Sequence, residues 1–134
     1  MGILIDSNVL ITIERKEIDI SSFIRGREDE EMFLSVVSAS ELLHGVYHAK
    51  ERGPRSKRLA FVEAVLIAFP VLEIDLATAR SHAQLWNDLE EAGIMIGLND
   101  SWIAATCLTH DFAIVTDNVR EFARVPDLRV EVWK

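Results

Sequence analysis

The chain has 134 residues, 49% of them hydrophobic, which favours one domain over residues 1–134 built on an ordinary core and excludes a disordered chain. Its formal charge of −8, from 22 Asp and Glu against 14 Lys and Arg, speaks against a nucleic-acid binder that works through overall positive charge. The lone cysteine, Cys107, excludes an internal disulfide and suits a reducing cytoplasm.

The N-terminus meets Asp6 before any basic region, which is unlike a signal peptide. Residues 3–5 form a short apolar run typical of a strand buried on both faces. A helix is expected from Asn8, with Val9, Leu10 and Ile13 apolar, and a shorter one within 19–27. Residues 32–34 read as a second strand. A helix from Ser38 to about Arg52 would stop at Gly53-Pro54. Another, over 56–69, has apolar residues at near-helical spacing. The stretch 59–74 is the longest apolar one, but Glu63, Pro70 and Glu73 interrupt it, so no membrane span is expected.

Residues 71–74 form the third expected strand. Asp75 then caps a helix to about Ala92, and Gly93 fits its C-terminal end. Residues 97–99 lead into a helix from Asp100 to about Thr109. Residues 113–115 and 128–132 are the fourth and fifth strands. Strands alternating with helices imply a mostly parallel sheet covered on both sides, with ligands bound beyond the carboxyl ends of the strands.

Four acids stand where such a fold brings distant segments together: Asp6 after the first strand, Glu41 and Asp100 near helix starts, and Asp117 after the fourth strand. Clustered carboxylates repel unless a cation lies between them, so the pattern points to metal-assisted chemistry on a phosphate ester. Each acid also has a plain local role. Asp6 can shape a turn or cap a helix, and Ser38-x-x-Glu41 matches a capping box. Asn99 or Asp100 can cap the next helix, and Thr116-Asp117-Asn118 can be a turn in which Asp117 or Asn118 faces the site. His44 and His48 are spaced to share a metal, but no His-Glu-x-x-His motif or third ligand accompanies them. Phosphate-binding glycine loops and the Gly-x-Ser-x-Gly elbow are absent from the sequence. The cations Lys50, Arg52, Arg55, Lys57 and Arg58, with Arg120 and Arg124 after Asp117, are either a local basic rim or solvated faces.

The segments 6–10 (Asp-Ser-Asn-Val-Leu), 38–45 (Ser-x-x-Glu-Leu-x-x-Gly), 97–105 (Gly-Leu-Asn-Asp-x-x-Ile-Ala-Ala) and 115–122 (Val-Thr-Asp-Asn-Val-Arg-Glu-Phe), followed by Val-Glu-x-Trp at the C-terminus, occur together and in order. In this the chain resembles the PIN-domain ribonucleases, most closely the VapC-type toxins of prokaryotic toxin–antitoxin pairs. The resemblance implies a three-layer α/β/α sandwich and a metal-dependent endoribonuclease using Mg²⁺ or Mn²⁺. It implies Asp6 and Asp100 as metal ligands and Glu41 as the third acid. Asp117 or Asn118 would stand at the fourth position, with Asp117 preferred for its charge and Glu121 more remote. Transfer or ribosomal RNA would be the substrate, a VapB-like antitoxin the partner, and a homodimer the assembly. A catalytically silent PIN-like module that binds RNA or protein is the alternative.

Overall fold

The computed structural model describes residues 2–133. Five strands make one parallel sheet: β1 (Gly2–Ile5), β2 (Glu31–Ser35), β3 (Val71–Leu72), β4 (Ala113–Val115) and β5 (Val130–Glu131), in the order β3-β2-β1-β4-β5. Seven helices connect the described strands: α1 (Ser7–Arg15), α2 (Ile20–Ile24), α3 (Val36–His48), α4 (Arg52–Ala68), α5 (Leu76–Glu91), α6 (Leu98–His110) and α7 (Val119–Phe122). The expected α/β/α sandwich is the observed architecture.

Side-chain alternation along β1 and β4 divides the interior in two. Ile3 and Ile5, with Ala113 and Val115 opposite them in register, face a core built with α1, α2, α3 and α4. Leu4 and Ile114 face the other way, onto Leu85 and Leu89 of α5, Ile103 and Ala104 of α6, and Phe122 of α7. A period of two along a strand buried on both faces produces this division, and it is why residues 3–5 carry no polar side chain.

The strand order reverses direction between β1 and β4. The chain leaves β1 toward β2 on one side and leaves β4 toward β5 on the other. Connections that diverge in this way open a crevice at the carboxyl ends of those two strands. Asp6 follows β1 directly, and Thr116, Asp117 and Asn118 follow β4.

Three local expectations are corrected. Helix α3 starts at Val36, and its N-cap is Ser35, whose hydroxyl accepts from the Val37 amide at 3.0 Å. The Ser38–Glu41 capping box therefore does not form, and the buried Ser38 hydroxyl has no hydrogen-bond partner among the described residues. Gly53 and Pro54 do not end α3; they lie in the first turn of α4, where a proline's missing N–H has no carbonyl to bond. The helix after Gly97 begins at Leu98, so Asn99 and Asp100 sit in its first turn and neither is the cap. Asp75 does cap α5, accepting from the Thr78 amide at 2.9 Å, and Gly93 takes the left-handed position beyond it at φ 70°. Among the described residues no helix is long and apolar enough to cross a membrane.

The capping assignment is tested by thermal unfolding of two alanine variants. Ser35→Ala should cost about 1 kcal/mol, the usual value of an N-cap, or roughly 4 °C in Tm. Ser38→Ala, which removes an unbonded buried hydroxyl, should be neutral or mildly stabilising. The reverse order would restore the capping box.

Candidate active site

Asp6 is the anchor. It is the N-cap of α1 and only 4% exposed. Its Oδ1 accepts from the Ser7 amide at 2.9 Å, and its Oδ2 accepts from the Thr116 hydroxyl at 2.7 Å. Each carboxylate oxygen keeps a second lone pair for another partner. The Thr116 hydroxyl also accepts from the Asn118 amide at 2.9 Å, so one buried side chain ties the end of β1 to the turn after β4.

Glu41 reaches this point from α3. Its Oε1 accepts from the Ser7 hydroxyl at 3.1 Å, where a capping box would have turned it back to the Ser38 amide. Asp100 arrives in the first turn of α6. Glu121, on α7, completes the group. One of its oxygens accepts from the Gly97 amide at 3.0 Å and the other from the Asn118 side-chain amide at 3.1 Å, and it is hydrogen-bonded to Asp100.

The electrostatics show how crowded the negative charge is. Asp6 is held above the ordinary carboxylate range by burial, with the charges of Glu41 and Asp117 adding to it against the opposing bond from Thr116. Asp100 is pushed up to about 7 by burial, by its hydrogen bond with Glu121, and by the charges of Glu121, Asp6 and Glu41. Glu121 is lowered, first by the same bond and then by the Gly97 amide. The crowding therefore favours a proton on Asp100 over one on Glu121.

The three candidates for the fourth position stand in different surroundings. Asp117 is exposed, accepts from the Thr12 hydroxyl at 3.3 Å, and donates its amide to Asn8 at 3.3 Å. It lies on the α1 side of Asp6 and contributes charge there. Asn118 orients Glu121. Of the three candidates, Glu121 is the acid bonded to Asp100. Ser7 and Thr116 were not singled out from sequence; the available signal was a hydroxyl residue beside each strand-end acid.

Asp6 and Asp100 fit a hard divalent cation in donor type, since both offer carboxylate oxygen in a cluster that a positive charge would relieve. Among the described residues no three Asp, Glu, His or Cys side chains close on a common ion unaided. Mg²⁺ is commonly held by one or two carboxylates with water completing its shell, so two acids suffice. His44 and His48, with ring centroids 6.1 Å apart, are both exposed on α3 beyond Glu41. The cations of 50–58 are largely engaged elsewhere. Arg55 bonds the Ala49 carbonyl at 2.7 Å, while Lys57 and Arg58 pair with Glu17 and Glu14 around the end of α1 opposite Asp6. Arg124 does act on the site, helping to lower Glu121. Burial pushes the Cys107 thiol up, which leaves it unreactive.

A parallel α/β/α sheet with acids gathered at its switch point defines a PIN-type fold. The chain belongs to the PIN domain family, whose match spans residues 3–128. Within that family its similarity runs to VapC proteins. It is 33% identical over 130 residues to Ribonuclease VapC1 of Rickettsia felis, covering 97% of this chain and 95% of that protein. It is 30% identical over 131 residues to the tRNA(fMet)-specific endonuclease VapC of Salmonella typhimurium, covering 97% and 96%. Among solved structures it resembles a chain of DNA-bound VapBC from Salmonella typhimurium, with a TM-score of 0.87, 27% identity, and coverage of 100% of this chain and 99% of that one.

The raised Asp100 carboxyl has a consequence for stability. Its folded value of about 7 exceeds the ordinary value of 3.8, so the folded chain binds more protons between those values. That stabilisation is fully present at low pH and lost as pH rises through about 7. Metal-free protein should therefore show a Tm that falls between about pH 5 and pH 8, and Asp100→Asn should flatten the fall. The lowered Glu121 acts below this window. A Tm independent of pH in this range would contradict the crowding.

Proposed function

We propose that this chain is an endoribonuclease toxin that hydrolyses RNA phosphodiester bonds with Mg²⁺ or Mn²⁺ and is restrained by a VapB-like antitoxin. The observation that carries the reading is the meeting of Asp6, Glu41, Asp100 and Glu121 at the crevice between β1 and β4. The VapC ribonucleases it resembles support the activity.

Asp6 and Asp100 would hold the cation. When bound, it would supply Lewis acidity toward a phosphoryl oxygen and lower the pKa of water. The residues do the rest by position. Ser7 and Thr116 hold Asp6 in one rotamer, and Ser7 also directs Glu41. Glu41 and Glu121 would accept hydrogen bonds from an attacking water. Attack at phosphorus in line with the 3′ oxygen breaks the P–O3′ bond and leaves a 3′-hydroxyl and a 5′-phosphate. No side-chain nucleophile is required. Arg120 and Arg124, on or beside the segment that supplies Glu121, would hold the flanking phosphates. Unpaired segments of transfer or ribosomal RNA are the substrates this arrangement suits, because their phosphates and bases are accessible.

Protein partners have an available surface. Tyr47 on α3 and Leu59 and Ile67 on α4 are exposed apolar side chains, Ile67 at 86%. We assign the homodimer and antitoxin contacts to these helices.

Cleavage of a structured RNA in Mg²⁺ tests the reading. Asp6→Asn and Asp100→Asn should each lower the rate at least about a hundredfold, the scale of losing a charge-positioning group, and chelation should abolish it. Full activity of folded Asp100→Asn would sink the proposal.

A paired measurement addresses the fourth acid. Glu121→Gln should reduce the rate about tenfold or more, within the range seen when groups supporting a metal site are altered. Asp117→Asn should reduce it less. The opposite order would return the fourth position to Asp117.

A further inference from the structure

A cavity of about 230 Å³ lies between α1, α2 and the C-terminal segment. Val9, Thr12, Ile13 and Lys16 line one side of it at helical spacing, and Phe23, Arg27, Asp117 and Trp133 close the rest. It starts within one turn of Asp6 and runs about 10 Å along α1, at 1.5 Å per residue. Asp117 is a wall of this cavity and also adds its charge to Asp6, so the cavity adjoins the acid cluster.

Its chemistry is unlike that of a core void. The Arg27 guanidinium carbon is 4.5 Å from the Trp133 ring centroid and 5.0 Å from that of Phe23. Arg27 is held there by a 2.7 Å bond to the Phe23 carbonyl, and the two rings lie 5.6 Å apart. Fixed aromatic and guanidinium groups together are a stacking platform for an unpaired base. Asp117 Oδ2 accepts from Thr12, which leaves Oδ1 to accept from a base amino group. Lys16 adds a cation that complements a phosphate.

We propose that this cavity is a nucleobase subsite, which receives an unpaired RNA base flanking the cleaved phosphodiester and prefers bases carrying an amino group. The proposal rests on the nuclease reading and adds the source of its sequence preference. Lys16 and Arg27 supply the positive charge that suits RNA here, and the shared wall at Asp117 sets the base beside the acid cluster.

The test uses short single-stranded oligoribonucleotides with one abasic position moved along the sequence. In wild-type protein with Mg²⁺, one position near the cut should lose about tenfold in kcat/KM when abasic, within the range for one stacked base. Arg27→Lys keeps the charge and removes the planar group, so it should lower cleavage of the intact oligonucleotide and erase the penalty at that position. Trp133→Phe should do so in part with less risk to folding. Equal abasic penalties in wild type and Arg27→Lys overturn the subsite. So does an Arg27→Lys effect confined to antitoxin affinity, which would assign the cavity to a protein partner. Binding of the same oligonucleotides to Asp100→Asn is measured in parallel. If wild type cuts nothing, the nuclease reading fails, while a base-dependent binding loss that Arg27→Lys erases still supports the subsite.

Discussion

The buried hydrogen bond from Thr116 to Asp6 joins groups 110 residues apart and sets the geometry on which the site depends. Like charges do not gather by themselves. Asp6, Glu41, Asp100 and Glu121 come from β1's end, α3, α6 and α7, and the other three add to the repulsion that Asp100 feels. They are held because the parallel sheet places the ends of β1 and β4 side by side and small hydroxyl groups fill the space between. Thr116 fastens Asp6 to the β4 turn, and Ser7 fastens Glu41 to the same point. A cluster so fastened cannot relax by swinging apart. Its remaining responses are to hold a proton, which the raised Asp100 carboxyl favours, or to bind a cation.

Helix starts contribute to this tolerance. Asp6 caps α1, Asp100 lies in the first turn of α6, and Glu121 accepts from the amide of Gly97, the N-cap of α6. The positive end of a helix favours a carboxylate by typically 0.3–1 kcal/mol. That contribution is too small to cancel burial and mutual repulsion, as the raised Asp6 and Asp100 carboxyls show. The helix ends choose where the acids can stand. They do not neutralise them.

What the sequence reveals about this arrangement follows from the range of the forces involved. The strand at 3–5 is legible because burial on both faces demands a continuous apolar run, and its end locates Asp6. The start of α3 is less legible. Val36 and Val37 are β-branched and read as more strand, yet Ser35 begins the helix before them, so Ser38 looks like a cap while it is already inside. Glu121 is harder still. Helix α7 has four residues, too few to show a period, and the acid's partners Gly97 and Asp100 are distant in sequence. Asp117 follows a strand directly, so position and charge single it out. Only tertiary contact separates a carboxyl turned toward Thr12 from one bonded to Asp100.

The same distinction between total and local charge bears on how a chain of −8 can meet a polyanion. The longest basic run is no rim, because Lys57 and Arg58 pair with Glu17 and Glu14 along the far part of α1. Such exposed pairs contribute little stability, but they do turn those cations toward a protein surface. Other cations lie on segments that border the site: Arg120 and Arg124 on or beside α7, and Lys16 and Arg27 around the cavity that Asp117 borders. They belong to α7 and its neighbour in one case and to the α1 and α2 segments in the other. A strand of RNA lying between them would place a phosphate over the acids, where only an intervening cation makes the contact favourable. Charge at this surface therefore acts by position. The net value describes the whole molecule and carries little information about the place where the chemistry is set.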